Sequence, residues 1–147
     1  MRGYTHLAGG LLVGLLFAKA FPNLNVFFVI ITALFASAFP DIDYSYSLIG
    51  KHFKFVGMMF SHRGFFHSIW ALLLFSALFF LITQSTIYAL IFAAGYLSHL
   101  ILDIIYAPMD LFWPKKGYHG RTRAAGAFLN ILFFVLLIIV DLWVIVG

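Results

Sequence analysis

Five long apolar runs divide this chain, and so few charges separate them that an ordinary water-soluble domain is excluded. The runs cover residues 7–21, 26–39, 65–82, 87–107 and 125–146. Hydrophobic residues make up 64% of the chain and charged ones only 10%, where about 25% charged is usual in soluble domains. A chain of 147 residues has too little interior to hide so much apolar surface. The surroundings it suits are a bilayer. A full crossing takes about 20 residues, within a range of roughly 17–25. The last three runs reach that length. The first two are short, so their polar ends are expected below the membrane surface, in a recessed, water-lined pocket where non-helical backbone is tolerated. The expected fold is all-α, a polytopic membrane helix bundle of about five transmembrane helices. It forms a single integral-membrane domain over residues 1–147. In the first run, Gly10 and Gly14 make a small-xxx-small pair that either admits a close helix neighbour or is ordinary membrane-helix filler.

Five crossings place the N-terminus, the 40–64 loop and the 108–124 loop on one face. Eight of the nine basic residues lie there: Arg2, Lys51, Lys54, Arg63, Lys115, Lys116, Arg121 and Arg123. Lys19 alone lies toward the other face. Lys and Arg bias toward the cytoplasm, so the expected orientation is N-terminus inside, C-terminus outside. An alternative reading makes Arg2, the 7–17 run and Ala18-Lys19-Ala20 a signal peptide. Lysine is awkward within a cleavage motif, and cleavage would discard His6.

The polar residues gather in short clusters at that same face. Five of the six histidines and four of the five aspartates belong to them. The chain has neither cysteine nor glutamate, so thiolate ligands are excluded and carboxylate chemistry falls to aspartate. His and Asp are common ligands of borderline and hard cations, and ionisable residues at membrane helix ends usually have a function.

His99 and Asp103 stand four apart in a helical run, one turn apart on one face. They can ligate one metal, with Asp103 able to bridge two, or simply bond helix to helix. Asp41 and Asp43 follow Pro40, which is expected to end the second helix near Phe39. In an extended segment their carboxylates would point the same way, which suits a dication better than helix-end turn chemistry. His62 and His67 diverge by about 140° on an ideal helix. They converge only if 61–64 is a turn, which Gly64 permits, with the helix starting near Phe65. Arg63 between them is a natural fork for phosphate or carboxylate. His6 opens the first helix on the same face. Asp110 and His119 are weaker ligand candidates, His52 is expected to be solvated, and Asp141 is expected to snorkel to the outer interface.

Taken in order, Thr5-His6, Pro40-Asp41-Ile42-Asp43, His62-Arg63-Gly64-Phe65-Phe66-His67-Ser68 and Ser98-His99-Leu100-Ile101-Leu102-Asp103, before a loop rich in Pro and Trp, resemble the YdjM-like family. Those are predicted inner-membrane, metal-dependent hydrolases of prokaryotic cells. The resemblance spans residues 4–114, and the last run carries no signature. The early His and the His-x-x-x-Asp element are also distantly similar to zinc phospholipase C and the S1/P1 nucleases, which cleave phosphoesters with clustered zinc. The glutamate those enzymes use as a ligand is missing here, so their full three-zinc site is not expected.

The resulting expectation is a membrane-embedded metal-dependent hydrolase. His6, Asp41, Asp43, His62, His67, His99 and Asp103 would hold one or two divalent ions, zinc by preference and Mn or Mg as alternatives. Asp43 would double as a base. Arg63, with Arg121 or Arg123, would hold phosphoryl oxygens. The substrate class is a phosphoester, most simply a phospholipid or polyprenyl phosphate, drawn to a basic cytoplasmic face. Nucleic acid is not expected as a partner, because the cations are few and lack interleaved aromatics. A metal-binding or transport protein without hydrolase activity is the rival from another class, although transporters place ionisable groups near the midplane.

Overall fold

The computed structural model describes residues 3–106, 109–115 and 126–146, and every regular element among them is helical. Helix α1 is Gly3–Ala20 and α2 is Val26–Ala38. A 3-10 turn, Phe39–Asp43, continues from α2. A second 3-10 turn, Gly50–His52, leads to the short α3, Lys54–Met59. A third, Phe65–His67, precedes α4, Ile69–Thr83. The remaining helices are α5, Thr86–Tyr106, and α6, Gly126–Val146.

Local chemistry sets several boundaries. The Asn25 side chain accepts from the backbone N–H groups of Phe27 and Phe28 at 3.0 and 3.3 Å, capping α2. The Ser68 hydroxyl accepts from the Ala71 N–H at 3.2 Å and starts α4. Gln84 ends α4 in the left-handed conformation, with φ 50°.

Helix α5 packs against α1, α2 and α4, while α1 also packs on α2 and α6. Small residues bring the backbones close. A Cβ on Gly14 would lie 3.0 Å from the Ile30 Cα, and one on Gly95 would lie 2.7 Å from the Ala33 carbonyl oxygen. The Gly10–Gly14 pair thus receives α2. Polarity is reversed relative to a soluble domain. Phe27, Leu81, Ile139 and Trp143 are more than half exposed, whereas His6, Ser37, His67, His99 and Asp103 are buried. By length and composition, Val26–Asp43 and Thr86–Tyr106 qualify to cross a membrane. Ile69–Thr83 and Asn130–Val146 are apolar but shorter.

Three local expectations need correcting. Helix α4 begins at Ile69 rather than Phe65, because residues 65–67 form a 3-10 turn first. Asp41 and Asp43 lie in a 3-10 turn, not an extended segment. Pro40 occupies its first turn, where no N–H is needed, and Phe39 stays helical at φ −62°, ψ −39°. Asp141 does not snorkel: it is 2% exposed, and neither carboxylate oxygen has a hydrogen-bond partner among the described residues.

Candidate metal centre

His6 projects from the second turn of α1, and Asp41 and Asp43 from the 3-10 turn after α2. His62 and Arg63 come from the turn at 61–64, closed by the Gly64 N–H on the Ser61 carbonyl at 3.0 Å. His67 ends the next 3-10 turn, while His99 and Asp103 share one face of α5. The structure brings all seven of these His and Asp side chains together, with Arg63 beside them.

His67 lies at the hub. Its Nε2 is 3.2 Å from His99 Nε2 and 3.6 Å from both Asp41 Oδ1 and Asp103 Oδ2. Its Nδ1 is 3.5 Å from Asp43 Oδ2. Residues two apart on a 3-10 turn diverge by about 120°. Asp41 and Asp43 therefore grip opposite nitrogens of the His67 ring instead of lying parallel. Asp43 also accepts from His62 Nδ1 at 3.0 Å. His6 Nε2 stands 3.3 Å from Asp103 Oδ1, and its ring stacks on His99 with centroids 3.8 Å apart. Arg63 Nε is 3.5 Å from Asp103 Oδ2.

Around the cluster, α5 and the turns hold one another. The His99 Nδ1–H donates to the Ser37 carbonyl at 2.7 Å. A carbonyl only accepts, so this bond fixes the tautomer of a neutral His99 and leaves its Nε2 lone pair facing the centre. The Tyr96 hydroxyl donates to the Phe66 carbonyl, tying α5 to the turn that carries His67. The Asp110 N–H donates to the Arg63 carbonyl at 3.1 Å. Arg63 itself has φ 67°, in the left-handed region. A non-glycine residue held there costs about 1–3 kcal/mol and marks a functional constraint. The left-handed residue of this turn is thus Arg63. Gly64 is required for space instead, because its Cβ would meet the Ser61 hydroxyl at 2.7 Å.

The donor set fits a divalent cation. Ligands at about 2.0–2.2 Å around a tetrahedral ion stand about 3.3–3.6 Å from one another. The facing atoms of His67, His99 and Asp103 stand 3.2, 3.6 and 4.0 Å apart. Three overlapping groups have all their donor atoms within 4.8 Å of one another: Asp41, Asp43, His62 and His67; His6, Asp41 and His99; His67, His99 and Asp103. His6 Nε2, Asp43 Oδ2 and His67 Nδ1 are buried without a satisfactory hydrogen bond. Their ion-pair contacts, at 3.3 and 3.5 Å, are long, which leaves these atoms better suited to a cation than to one another. Burial alone would lower the His67 pKa, but contacts with Asp41 and Asp43 outweigh it and push the value up to about 9. These histidines lend positive charge only with a proton aboard, and a cation can take its place.

A cavity of about 510 Å³ opens over the cluster, walled by Asp41, Tyr44, Ser47, His62, Arg63 and Asp103 among others. Tyr44 stacks on His62 with ring centroids 4.6 Å apart. Tyr44, the Ser37 carbonyl and the Tyr96 hydroxyl are participants that sequence reasoning missed. The alternation Tyr44-Ser45-Tyr46-Ser47, directly after the Asp pair, was the available signal. The Asp110 carboxylate joins none of the three metal-capable groups. His119, Arg121 and Arg123 lie outside the described residues.

No curated protein and no solved structure matches the chain. The family model described as YdjM inner membrane protein matches residues 1–146. That match reaches from the turn before His6 through α6, and takes in every residue of the buried cluster. The chain therefore belongs to the YdjM inner membrane protein family.

Proposed function

We propose that this protein is a metal-dependent phosphoester hydrolase working at the cytoplasmic face of the membrane, on a phospholipid or polyprenyl phosphate. The observation that carries the reading is the meeting of four imidazoles and three carboxylates with a guanidinium beneath one open cavity. A structural cluster would not need to open to solvent. His6, Asp41, Asp43, His62, His67, His99 and Asp103 would hold one or two divalent ions, zinc by preference for so histidine-rich a set.

A bound divalent ion supplies an acidified water and charge stabilisation for phosphoryl transfer. The chain's own residues do the rest. Arg63 lines the cavity beside the cluster, where its fork can hold two phosphoryl oxygens. Asp43, buried and bonded to the His62 Nδ1–H, holds that ring so that its Nε2 accepts a proton. His62, whose side chain is 31% exposed, passes it to the cavity. Asp103 orients Arg63 and His6 together. Arg121 and Arg123 are further candidates for phosphoryl binding. Five crossings, with the cluster face inward, complete the proposal.

Metal analysis of purified wild type and Asp103→Ala, each then given a panel of phosphoesters, tests it. Wild type should hold one to two ions per chain and release phosphate, and Asp103→Ala should lose both properties. Metal-replete wild type that hydrolyses no phospholipid, polyprenyl phosphate or nucleic acid would move the reading to metal binding or transport. A fully active Asp103→Ala protein would remove the metal mechanism.

A further inference from the structure

The site cavity has a lateral extension. A second cavity of about 370 Å³ is bounded by Tyr4 and Leu7 of α1 and by Lys51. It shares Gly3, Tyr46, Ser47 and Leu48 with the cavity over the cluster. A small pocket touching both His6 and Leu7, and both Asp41 and Leu48, lies along the same seam. The resulting groove changes character along its length. Its inner end is His62, Arg63 and Asp103; its outer end is Tyr4, Leu7 and Leu48.

Tyr46 and Lys51, which line the outer end, belong to a segment with an unusual surface. Tyr46 is 87% exposed, Phe55 70% and Met58 83%, and Lys51 and Lys54 are exposed among them. Apolar side chains in such density are not left in water. Aromatic residues, methionines and lysines on one short segment are the composition of a chain lying at the headgroup boundary, with ammonium groups toward anionic lipid. On that composition, the outer end of the groove is the one suited to the bilayer interface.

Resting on the hydrolase reading, we infer that this groove receives the hydrocarbon chain of a membrane lipid phosphate, which slides in sideways from the leaflet. The phosphate is then delivered to Arg63 while the chain stays between Leu7 and Leu48. Tyr4 and Tyr46 flank the passage, and Lys51 stands at the mouth. A soluble phosphoester would use the inner cavity alone.

Equilibrium binding tests this independently of turnover. The chain lacks cysteine, so Leu48→Cys carries a single thiol-linked fluorophore. Metal-loaded protein is placed in phosphatidylcholine vesicles containing a small fraction of phosphatidic acid with brominated chains. Quenching should be saturable, and the same fraction of brominated phosphatidylcholine should give much less. A Cβ at Gly3 meets nothing within 4 Å, so Gly3→Leu should fill the junction without disturbing α1 and abolish the saturable component. In turnover, Leu7→Trp should lower the ratio of phosphatidic acid to p-nitrophenyl phosphate hydrolysis by about tenfold, the scale of a few displaced methylenes.

Equal quenching by both brominated lipids, or quenching only by aqueous iodide, would overturn the groove. If a soluble phosphate were still hydrolysed, the hydrolase reading would survive that result. Saturable quenching without any hydrolysis would keep the groove and discard the hydrolase.

Discussion

His67 and His99 face each other Nε2 to Nε2 at 3.2 Å, both fully buried and 32 residues apart in sequence. His99 has already committed its Nδ1–H to the Ser37 carbonyl, so a neutral His99 presents a lone pair across that gap. In the metal-free protein His67 fills the gap with its Nε2–H. A cation bound by both rings takes the place of that proton. On the metal reading, ion uptake and proton release would be one exchange.

The first prediction follows from the sign of that exchange. Metal-free His67 keeps its proton below about 9. Apparent metal affinity should rise with pH up to that value, by about tenfold per pH unit for each proton displaced. Stability of the metal-free protein runs the other way. The His67 pKa stands above its ordinary 6.5, so stabilisation by Asp41 and Asp43 is complete below 6.5 and is lost as pH rises through about 9. Chelator-treated protein should melt lower across that window in detergent, and zinc-replete protein should not. A metal-free protein that melts higher as pH rises would refute the exchange.

Arg63 separates backbone strain from charge. Arg63→Gly removes a left-handed non-glycine residue, worth about 1–2 kcal/mol, and should melt no lower than wild type. Arg63→Ala keeps the strained backbone and should melt lower than the glycine variant. Both should retain metal, because guanidinium does not ligate cations. Both should lose about 10²–10³ in phosphoester turnover. Wild-type turnover in Arg63→Gly would show that the fork plays no part in the reaction.

Gly95 sets the height of His99. Its Cβ would stand 2.7 Å from the Ala33 carbonyl oxygen and 3.0 Å from the Ala36 Cβ. Gly95→Ala should therefore push α5 off α2, one turn from the His99–Ser37 bond. Overpacking of this kind costs about 1–3 kcal/mol, and both melting temperature and metal content should fall. Gly3→Ala, with open space around it, is the matched control for stability. Equal melting of the two variants would contradict the close approach.

Orientation is tested with fusions. On the proposed five-crossing topology, eight of the nine basic residues would share the side of the cluster. An N-terminal reporter should behave as cytoplasmic and a C-terminal one as extracytoplasmic. Two cytoplasmic ends would require an even number of crossings.

Helix positions were legible because long apolar runs leave few alternatives, and α2 and α5 fall close to the expected limits. The cluster was legible because His and Asp are rare here and concentrated at run ends. What escaped was local backbone form. Proline after Phe39 reads as a helix stop, and α2 does end at Ala38, but the chain continues as a 3-10 turn and not as extended backbone, so Asp41 and Asp43 bracket the His67 ring instead of pointing together. A carboxylate near a helix end reads as snorkelling, but Asp141 faces inward, and its burial depends on neighbouring helices that no single helix reveals. The Tyr44–Leu48 wall escaped because its role comes from α1, some forty residues earlier in the chain.

The three groups of donor atoms are completed at different points along the chain. His6 belongs to the first long helix, Asp41 and Asp43 follow the second, His67 precedes α4, and His99 and Asp103 lie well along α5. During synthesis Asp41, Asp43, His62 and His67 are all made before α5, whereas His6 waits for His99 to complete its group. On the metal reading, a chain stalled before α5 would offer an ion the first group alone, and the two groups that need His99 would form only when that helix docks.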